Sequence, residues 1–323
     1  MTEKISLKRL TKRFGTNFAV NDISMSVSSG EVLGFLGPNG AGKSTTMRMI
    51  TGFIEPTSGS VEVLGMNVSH SPVDVKRCIG YLPEGAPTYG DMTALSYLSF
   101  IAEIRGFFGS EKRYRVDTVI DNVNIKDIIN QPIDTLSKGF KRRLGLAQSL
   151  LHDPEILIMD EPTDGLDPNQ KHQVRSLIRE MSKDKAIIIS THILEEVEAV
   201  CSRAVIIAKG QLLADDTPQG LLAQASNHNA VVIALDKVIV KDEFCESIKA
   251  IPGVASLEYL QSTTEEKEIC RIRAIPESGK SIAKDIREVL RSKNILAHEM
   301  FVESGTLDDV FRKITAPEDF ANA

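Results

Sequence analysis

Residues 37–45 read Gly-Pro-Asn-Gly-Ala-Gly-Lys-Ser-Thr, which fits the pattern G-x-x-x-x-G-K-[ST]. That spacing suits one task, the holding of a polyphosphate. Gly37, Gly40 and Gly42 let the backbone bend until successive N–H groups point inward at the anion. A helix opening at Gly42 turns its positive end toward the same charge. Lys43 is placed to reach the β- and γ-phosphates, and the Ser44 hydroxyl can ligate Mg²⁺. Pro38, Asn39, Ala41 and Thr45 complete the loop around the ligand. Four fixed positions of this kind arise by chance in about one chain of this length in a hundred. Here an apolar strand (Glu31–Leu36) precedes the loop and an apolar helix with Met47, Met49 and Ile50 comes after it. That is the context the chemistry needs.

A second constellation is acidic. Ile156-Leu157-Ile158-Met159 runs straight into Asp160-Glu161. In open α/β sheets a carboxylate at the carboxyl end of a parallel strand lies beside the bound ligand. Asp160 suits a metal ion, directly or through water, and Glu161 is placed to orient or deprotonate an attacking water. An acidic pair after a strand is ordinarily a solvated strand end. The phosphate loop in the same chain reverses that reading.

These groups need a sheet to hold them. The first two-thirds of the chain alternates short apolar strands with helical stretches, the α/β pattern. Ile156–Met159 and Ala186–Ser190 are nearly continuous aliphatic runs, as a parallel sheet covered on both faces requires. Between about Asp91 and His152 the strands disappear, and Leu98, Ile101 and Arg105 fall at helical spacing, so a helical insertion is expected. Thr217-Pro218 opens a short helix that runs out at Ser226–Asn229, where the domain boundary is expected. Beyond it the predicted order is strand (Val231–Leu235), helix (Asp242–Ile251), strand (Val254–Leu260), strand (Glu268–Ala274), helix (Ser281–Ser292) and strand (Leu296–Val302). That βαββαβ order is that of a ferredoxin-like α+β unit. A last helix opens at Thr306, with Asp309 as a capping partner, and should bury Leu307, Val310, Phe311 and Ile314.

Composition narrows the function. Apolar residues make up 42% of the chain, enough for a core, and the net charge of −6 argues against a nucleic-acid partner. The four cysteines, Cys78, Cys201, Cys245 and Cys270, are widely spaced, which favours idle thiols in a reducing compartment over metal or disulfide roles. The start is polar and lacks the apolar stretch of a secretory signal. No run approaches the ~20 apolar residues that cross a bilayer. Work at a membrane would need spans from another chain.

Five features occur in fixed order: the phosphate loop, Leu136–Phe140, the strand ending in Asp160-Glu161, Gly165-Leu166-Asp167-Pro168, and Ser190-Thr191-His192. The set resembles the nucleotide-binding domain of an ATP-binding-cassette (ABC) transporter, a P-loop NTPase, over about residues 4–220. Within that superfamily the chain is most similar to ATPase subunits of ABC-2-type exporters, including the gliding-motility type. The narrower match rests on Ser137–Gln148, Gly165–Gln170, Ser190–Cys201 and Leu307–Phe311. The expected organisation is an ABC ATP-binding domain at 1–225, with its helical subdomain at about 91–152, and an accessory domain at 230–316.

The resemblance implies ATP and Mg²⁺ as ligands and a homodimer as the working form. It implies an integral membrane permease of about six spans as partner, and a cytoplasmic place on the inner face of the cell membrane. Phe14 matches the aromatic that stacks on adenine, with burial in the first hairpin as the alternative. Ser137 and Gly139 match the segment that clasps the γ-phosphate of a nucleotide on the opposite subunit; as an isolated pattern they are a helix cap. Asp167 matches the loop that speaks across the dimer, and His192 the histidine that contacts the γ-phosphate. The surface between Gly85 and Arg105 would receive a short helix of the membrane subunit, with Tyr89, Met92, Phe107 and Phe108 either docking there or serving as helical core.

Two departures stand out. Glu84 occupies the place where the family usually has glutamine, which sets another carboxylate beside Mg²⁺ and phosphate; the expectation is that it still senses the metal. Lys138 and Phe140 replace the usual glycine and glutamine, so Lys138 adds positive charge toward the trans phosphate while Phe140 removes a polar contact. Other readings fit less well. Soluble ABC proteins acting on ribosomes or DNA usually carry two cassettes or long coiled-coil insertions, and a guanine-nucleotide switch would need an N-K-x-D motif. None of these is present. For the accessory domain a structural or dimer-supporting role is favoured over ligand binding.

Overall fold

The computed structural model describes residues 2–85, 89–225, 227–240, 242–260, 269–277 and 280–315. Backbone contacts divide the chain into two units, Met1–Thr217 and Pro218–Ala323. The short helix Pro218–Leu222 therefore goes with the second unit, where it packs on Leu307–Thr315.

In the first unit a six-stranded sheet runs in the order Gln211–Asp216, Arg203–Ala208, Val32–Leu36, Ala186–Thr191, Ile156–Asp160, Ile79–Leu82. All neighbours are parallel except the edge strand Gln211–Asp216. Every residue of the three central strands is buried. Side chains alternate between two cores, as the period of a strand requires. Ile156, Ile158 and Ile188 enter one core, shared with the helix Lys43–Ile50 and with an antiparallel sheet built from Glu3–Phe14, Asn17–Ser28, Ser58–Val63 and Met66–Asn67. Leu157, Met159, Ile187 and Ile189 enter the other, roofed by helices Ala94–Ile104, Gly109–Asn122 and Lys138–Leu150. The strands do vanish between residues 91 and 152, apart from one isolated bridge, Thr93 to Pro132.

Parallel register brings the chemical groups together. Leu36 pairs with Thr191 and Asp160 with Ser190, so the three central strands end at one edge of the sheet. The phosphate loop, the acidic pair and His192 all leave the sheet there, on the side where such sheets bind ligands.

At the joint between the helices and the sheet, His152 Nε2 lies 3.1 Å from the Ile79 carbonyl oxygen, which makes it the donor. Burial, aided by Arg105, pushes this imidazole down to about 4. The unfolded chain, with its histidine near 6.5, takes up a proton first as the pH falls. The stability held by neutral His152 is therefore complete above about 6.5 and lost as the pH falls toward 4. In His152→Gln, whose amide still reaches the carbonyl, the urea midpoint should fall less steeply with pH across that window than in the parent.

The second unit has a four-stranded antiparallel sheet in the order Val254–Leu260, Ile269–Pro276, Val231–Asp236, Glu299–Val302. Helices Asp242–Lys249 and Ala283–Ser292 cover one face through Phe244, Ile248, Ile286 and Leu290. Across the strands Arg273 pairs with Glu258 and Glu303, and Arg271 with Glu299. The last strand starts at Glu299, not at Leu296, which is 89% exposed. Ile295 and Ala297 take the inward positions on either side of it. The expected strand start at Glu268, like Ser226, lies outside the described residues. In the last helix the Thr306 hydroxyl accepts from the Asp309 N–H at 3.2 Å. Leu307 and Val310 are buried there, whereas Phe311 and Ile314 are only half-buried.

Candidate active site

The phosphate loop is shaped by two backbone constraints. At Gly37 a Cβ would stand 2.3 Å from the Ile207 carbonyl oxygen, so only glycine fits against the neighbouring strand. Gly42 caps the following helix at φ 108, and a Cβ there would stand 2.4 Å from the Ala19 carbonyl oxygen. Lys43 opens that helix and is 6% exposed, with its ammonium donating to the carbonyls of Gly37 at 2.7 Å and Pro38 at 3.2 Å. Burial pulls its pKa down, opposed by Glu161, Asp160 and Glu84, so the charge is kept by carboxylates around it.

These groups share a cleft of about 320 Å³, lined by Ala19, residues 39–45, Glu84, Asp160, Glu161, Asp164 and His192. Asp160 is 3% exposed and accepts from the Ser190 hydroxyl across the neighbouring strand. Glu161 has the left-handed backbone φ of 52, a strained conformation for a side chain of its kind. Its N–H donates to the Ser190 carbonyl at 3.1 Å, which holds the turn. His192 Nδ1 lies 2.9 Å from Glu161 Oε1. Burial raises the Glu161 carboxyl, and the hydrogen bond and charge of His192 oppose that rise. A carboxylate moved up from its usual range is better matched to accepting a proton from water near neutral pH.

The remaining expected residues stand elsewhere. Phe14 ends the first hairpin strand 55% exposed, with the Lys12 ammonium 5.2 Å from its ring centre, so burial in that hairpin is excluded. Ser137 caps the helix Lys138–Leu150, accepting from the Phe140 N–H at 3.3 Å. Asp167 caps the helix Pro168–Met181 in a reciprocal box with Gln170. Gly139 lies against that second helix, where a Cβ would stand 2.7 Å from Gln170 Oε1. Ser137, Gly139 and Asp167 thus form a neighbouring patch and do not line the phosphate cleft of their own subunit.

The structure adds residues that the sequence did not single out. Arg142, 7% exposed, donates to the Pro83 carbonyl at 2.6 Å and to the Asp160 carbonyl. It joins the helix after Ser137 to the Glu84 loop and to the strand that ends in Asp160. Glu196, 3% exposed, accepts from the hydroxyls of Thr163 and Thr191 and stands 3.6 Å from the Lys171 ammonium. One buried carboxylate so links the loop after Glu161, the strand end before His192 and the helix that Asp167 caps. A larger cleft of about 470 Å³, lined by Phe53, Tyr81, Tyr89, Tyr97, Ile101 and Arg105 among others, contains none of the phosphate-binding set. Around it Met92 and Phe107 pack into the helical core, while Tyr89 and Phe108 are 59% and 65% exposed.

Known proteins resemble this chain in sequence and fold. The family profile described as ABC transporter matches residues 20–164. An ABC transporter ATP-binding protein of Bacillus subtilis (strain 168), YxlF, is 33% identical over 310 residues, 96% of this chain and 99% of the relative. The probable multidrug ABC transporter ATP-binding protein YbhF of Escherichia coli (strain K12) is 38% identical over 224 residues, and this match covers 69% of the chain and 39% of that longer protein. A solved structure of an ATP-binding subunit of an ABC transporter superposes with a TM-score of 0.64 at 29% identity, over 68% of this chain and 92% of the other. The mixed α/β fold, the phosphate cleft and these likenesses agree: the chain belongs to the ABC transporter ATP-binding proteins and carries their ATPase cassette.

Proposed function

We propose that the chain is the ATP-hydrolysing subunit of an ABC-2-type exporter, of the gliding-motility-type branch, working as a head-to-tail homodimer. One observation carries this. Lys43, Ser44, Asp160, Glu161 and His192 converge on one cleft, while Ser137, Gly139 and Asp167 stand outside it. A single subunit holds half a site. In the pair, Lys43 and the loop amides of residues 39–45 bind the phosphates of ATP, and Ser137 with the Gly139 amide closes on them from the second copy. Glu161 takes the proton of the attacking water, and His192, fixed beside it, contacts the γ-phosphate. Phe14, exposed at the hairpin end, offers a face to adenine.

The Ser44 hydroxyl and the carboxylates of Asp160 and Glu84 are hard oxygen donors on one cleft, a set that fits Mg²⁺. Among the described residues no group of three or more His, Cys, Asp or Glu side chains forms a metal site of its own. Held there, the ion would be completed by substrate phosphates and would neutralise charge on the transferred group. Glu84→Gln is expected to raise the Mg²⁺ concentration needed for half-maximal ATPase by about tenfold, the effect of one charged ligand; an unchanged Mg²⁺ titration would remove Glu84 from the set.

No helix among the described residues is long and apolar enough to cross a membrane. We assign the spans to a permease of about six helices, with the cassette, whose own contacts run to Thr217, and its helical subdomain at 91–152 peripheral on the cytoplasmic face. The exposed Tyr89 at the 470 Å³ cleft supports a docking site there, and the relative named as a multidrug transporter component supports export. The accessory domain at 230–316 is read as ferredoxin-like from its βαββαβ order and antiparallel sheet, in a structural or dimer-supporting role. Nucleic acid is not among the proposed partners. The test is affinity purification from detergent-solubilised membranes: a polytopic subunit should co-purify, and Tyr89→Glu should release it without weakening ATP binding. Recovery with ribosomes or DNA instead would overturn the exporter reading.

A further inference from the structure

We infer that Lys138 is an exchangeable phosphate ligand: Asp164 of its own subunit holds its ammonium until the pair closes, when it transfers to the terminal phosphate of the partner copy's nucleotide. This rests on the head-to-tail reading above. The ammonium lies 2.7 Å from Asp164 Oδ2. Its stem lies along the same loop, since a Cβ on Gly165 would stand 2.6 Å from Lys138 Cδ. Lys138 also sits between Ser137 and Gly139 at the first turn of its helix, and its exposed side chain is long enough to swing toward an anion bound there. The cation thus belongs to two sites, an internal one built by the loop after Glu161 and an external one facing the second copy.

Charge decides which site wins. The two side chains are 70% and 48% exposed, and an ion pair in that setting is weak and easily exchanged. A terminal phosphate brings more negative charge than one carboxylate, and closure of the pair excludes water, which widens the difference between the two attractions in favour of the phosphate. The exchange has a consequence in the chain's own cleft. Asp164 lines that cleft together with Glu161 and His192. A smaller cavity of about 210 Å³ beside it is walled by Lys138, Lys141 and Arg142 against Glu84, Glu161 and Asp164. Withdrawal of Lys138 leaves an excess carboxylate next to the water-activating Glu161, so the subunit registers that its partner is loaded. The hydrogen bond from Lys138, helped by its charge and those of Arg142 and His192, holds the Asp164 carboxyl below its ordinary range.

The experiment uses the full chain in a Glu161→Gln background, with dimer formation followed by sedimentation against MgATP. Asp164→Asn frees Lys138 and should lower the ATP concentration for half-maximal dimerisation by about threefold, the strength of an exposed ion pair. Lys138→Gln should raise it by about tenfold or more, the loss of one charge-assisted bond, and Lys138→Arg should restore most of it. The double variant should match Lys138→Gln alone, because Asp164 acts through Lys138. A pair that only braces the loop would shift both single variants in the same direction, and that result, or no shift, overturns the exchange while leaving the sandwich standing. Failure of Glu161→Gln itself to dimerise overturns the sandwich and the exchange with it. Both side chains are exposed, so folding is not at risk, and unchanged melting temperatures check it.

Discussion

Glu161→Gln is expected to lower the ATPase rate by about 10³-fold, within the range of one general base, while ATP still binds. The amide keeps the size and an oxygen for His192, but it cannot take a proton from water. The strained turn at φ 52 should persist, since the Glu161 N–H bond to Ser190 is made by the backbone. Single-turnover hydrolysis and filter binding separate the two effects; a variant that hydrolyses at the normal rate and stays monomeric with ATP would sink the mechanism. The pH dependence gives an independent check. Burial holds the Glu161 carboxyl above its ordinary range and His192 pulls it back down. The base must be ionised to act, so the acid limb of the rate profile should lie above that of an ordinary carboxylate. His192→Ala removes the opposing influence, and the limb should move to still higher pH.

Glu196→Ala is expected to destabilise the cassette by about 3–5 kcal/mol, the cost of breaking a buried charge network from one side. Three donors lose their acceptor at once: the hydroxyls of Thr163 and Thr191, and the Lys171 ammonium at 3.6 Å. Glu196→Gln keeps an acceptor for one hydroxyl and should cost about 1–2 kcal/mol. Urea unfolding of the first unit measures both. The catalytic effect should exceed the structural one, because Thr163 stands in the loop of Glu161, Thr191 directly before His192, and Lys171 in the helix that Asp167 caps. With the folded fraction held constant, kcat should drop in Glu196→Ala while KM for ATP changes little, since the phosphate loop is untouched. Equal loss in kcat and binding would make Glu196 a plain core residue.

Much of the site was legible without coordinates, for local reasons. The phosphate loop is nine consecutive residues whose work is done by backbone amides and one lysine, so spacing alone defines it. Asp160-Glu161 were legible because a parallel strand ends where its apolar run ends, and His192 because the family resemblance points to it just past such a strand. The order of elements in the second unit could also be read, with errors at ends such as Leu296, whereas in the first unit only three central strands and the helical stretch were legible, not the four-stranded antiparallel sheet. Phe14 could not be settled, because a residue at a hairpin end is buried or exposed by its distant neighbours.

The sequence by itself determined the ligand class, a polyphosphate, and the family of the cassette, because both depend on short runs of adjacent residues. Tertiary structure alone decided how the loops are wired. Arg142 reaches a carbonyl 59 residues away, and Glu196 a hydroxyl 33 residues away. On a sequence they look like one cation among three and one acid in an acidic helix. Only the folded sheet, by ending three strands at one edge, converts them into braces of the catalytic loops. It also sets Ser137, Gly139 and Asp167 outside the cleft that Lys43 and Glu161 share, the observation on which the proposed two-copy site rests.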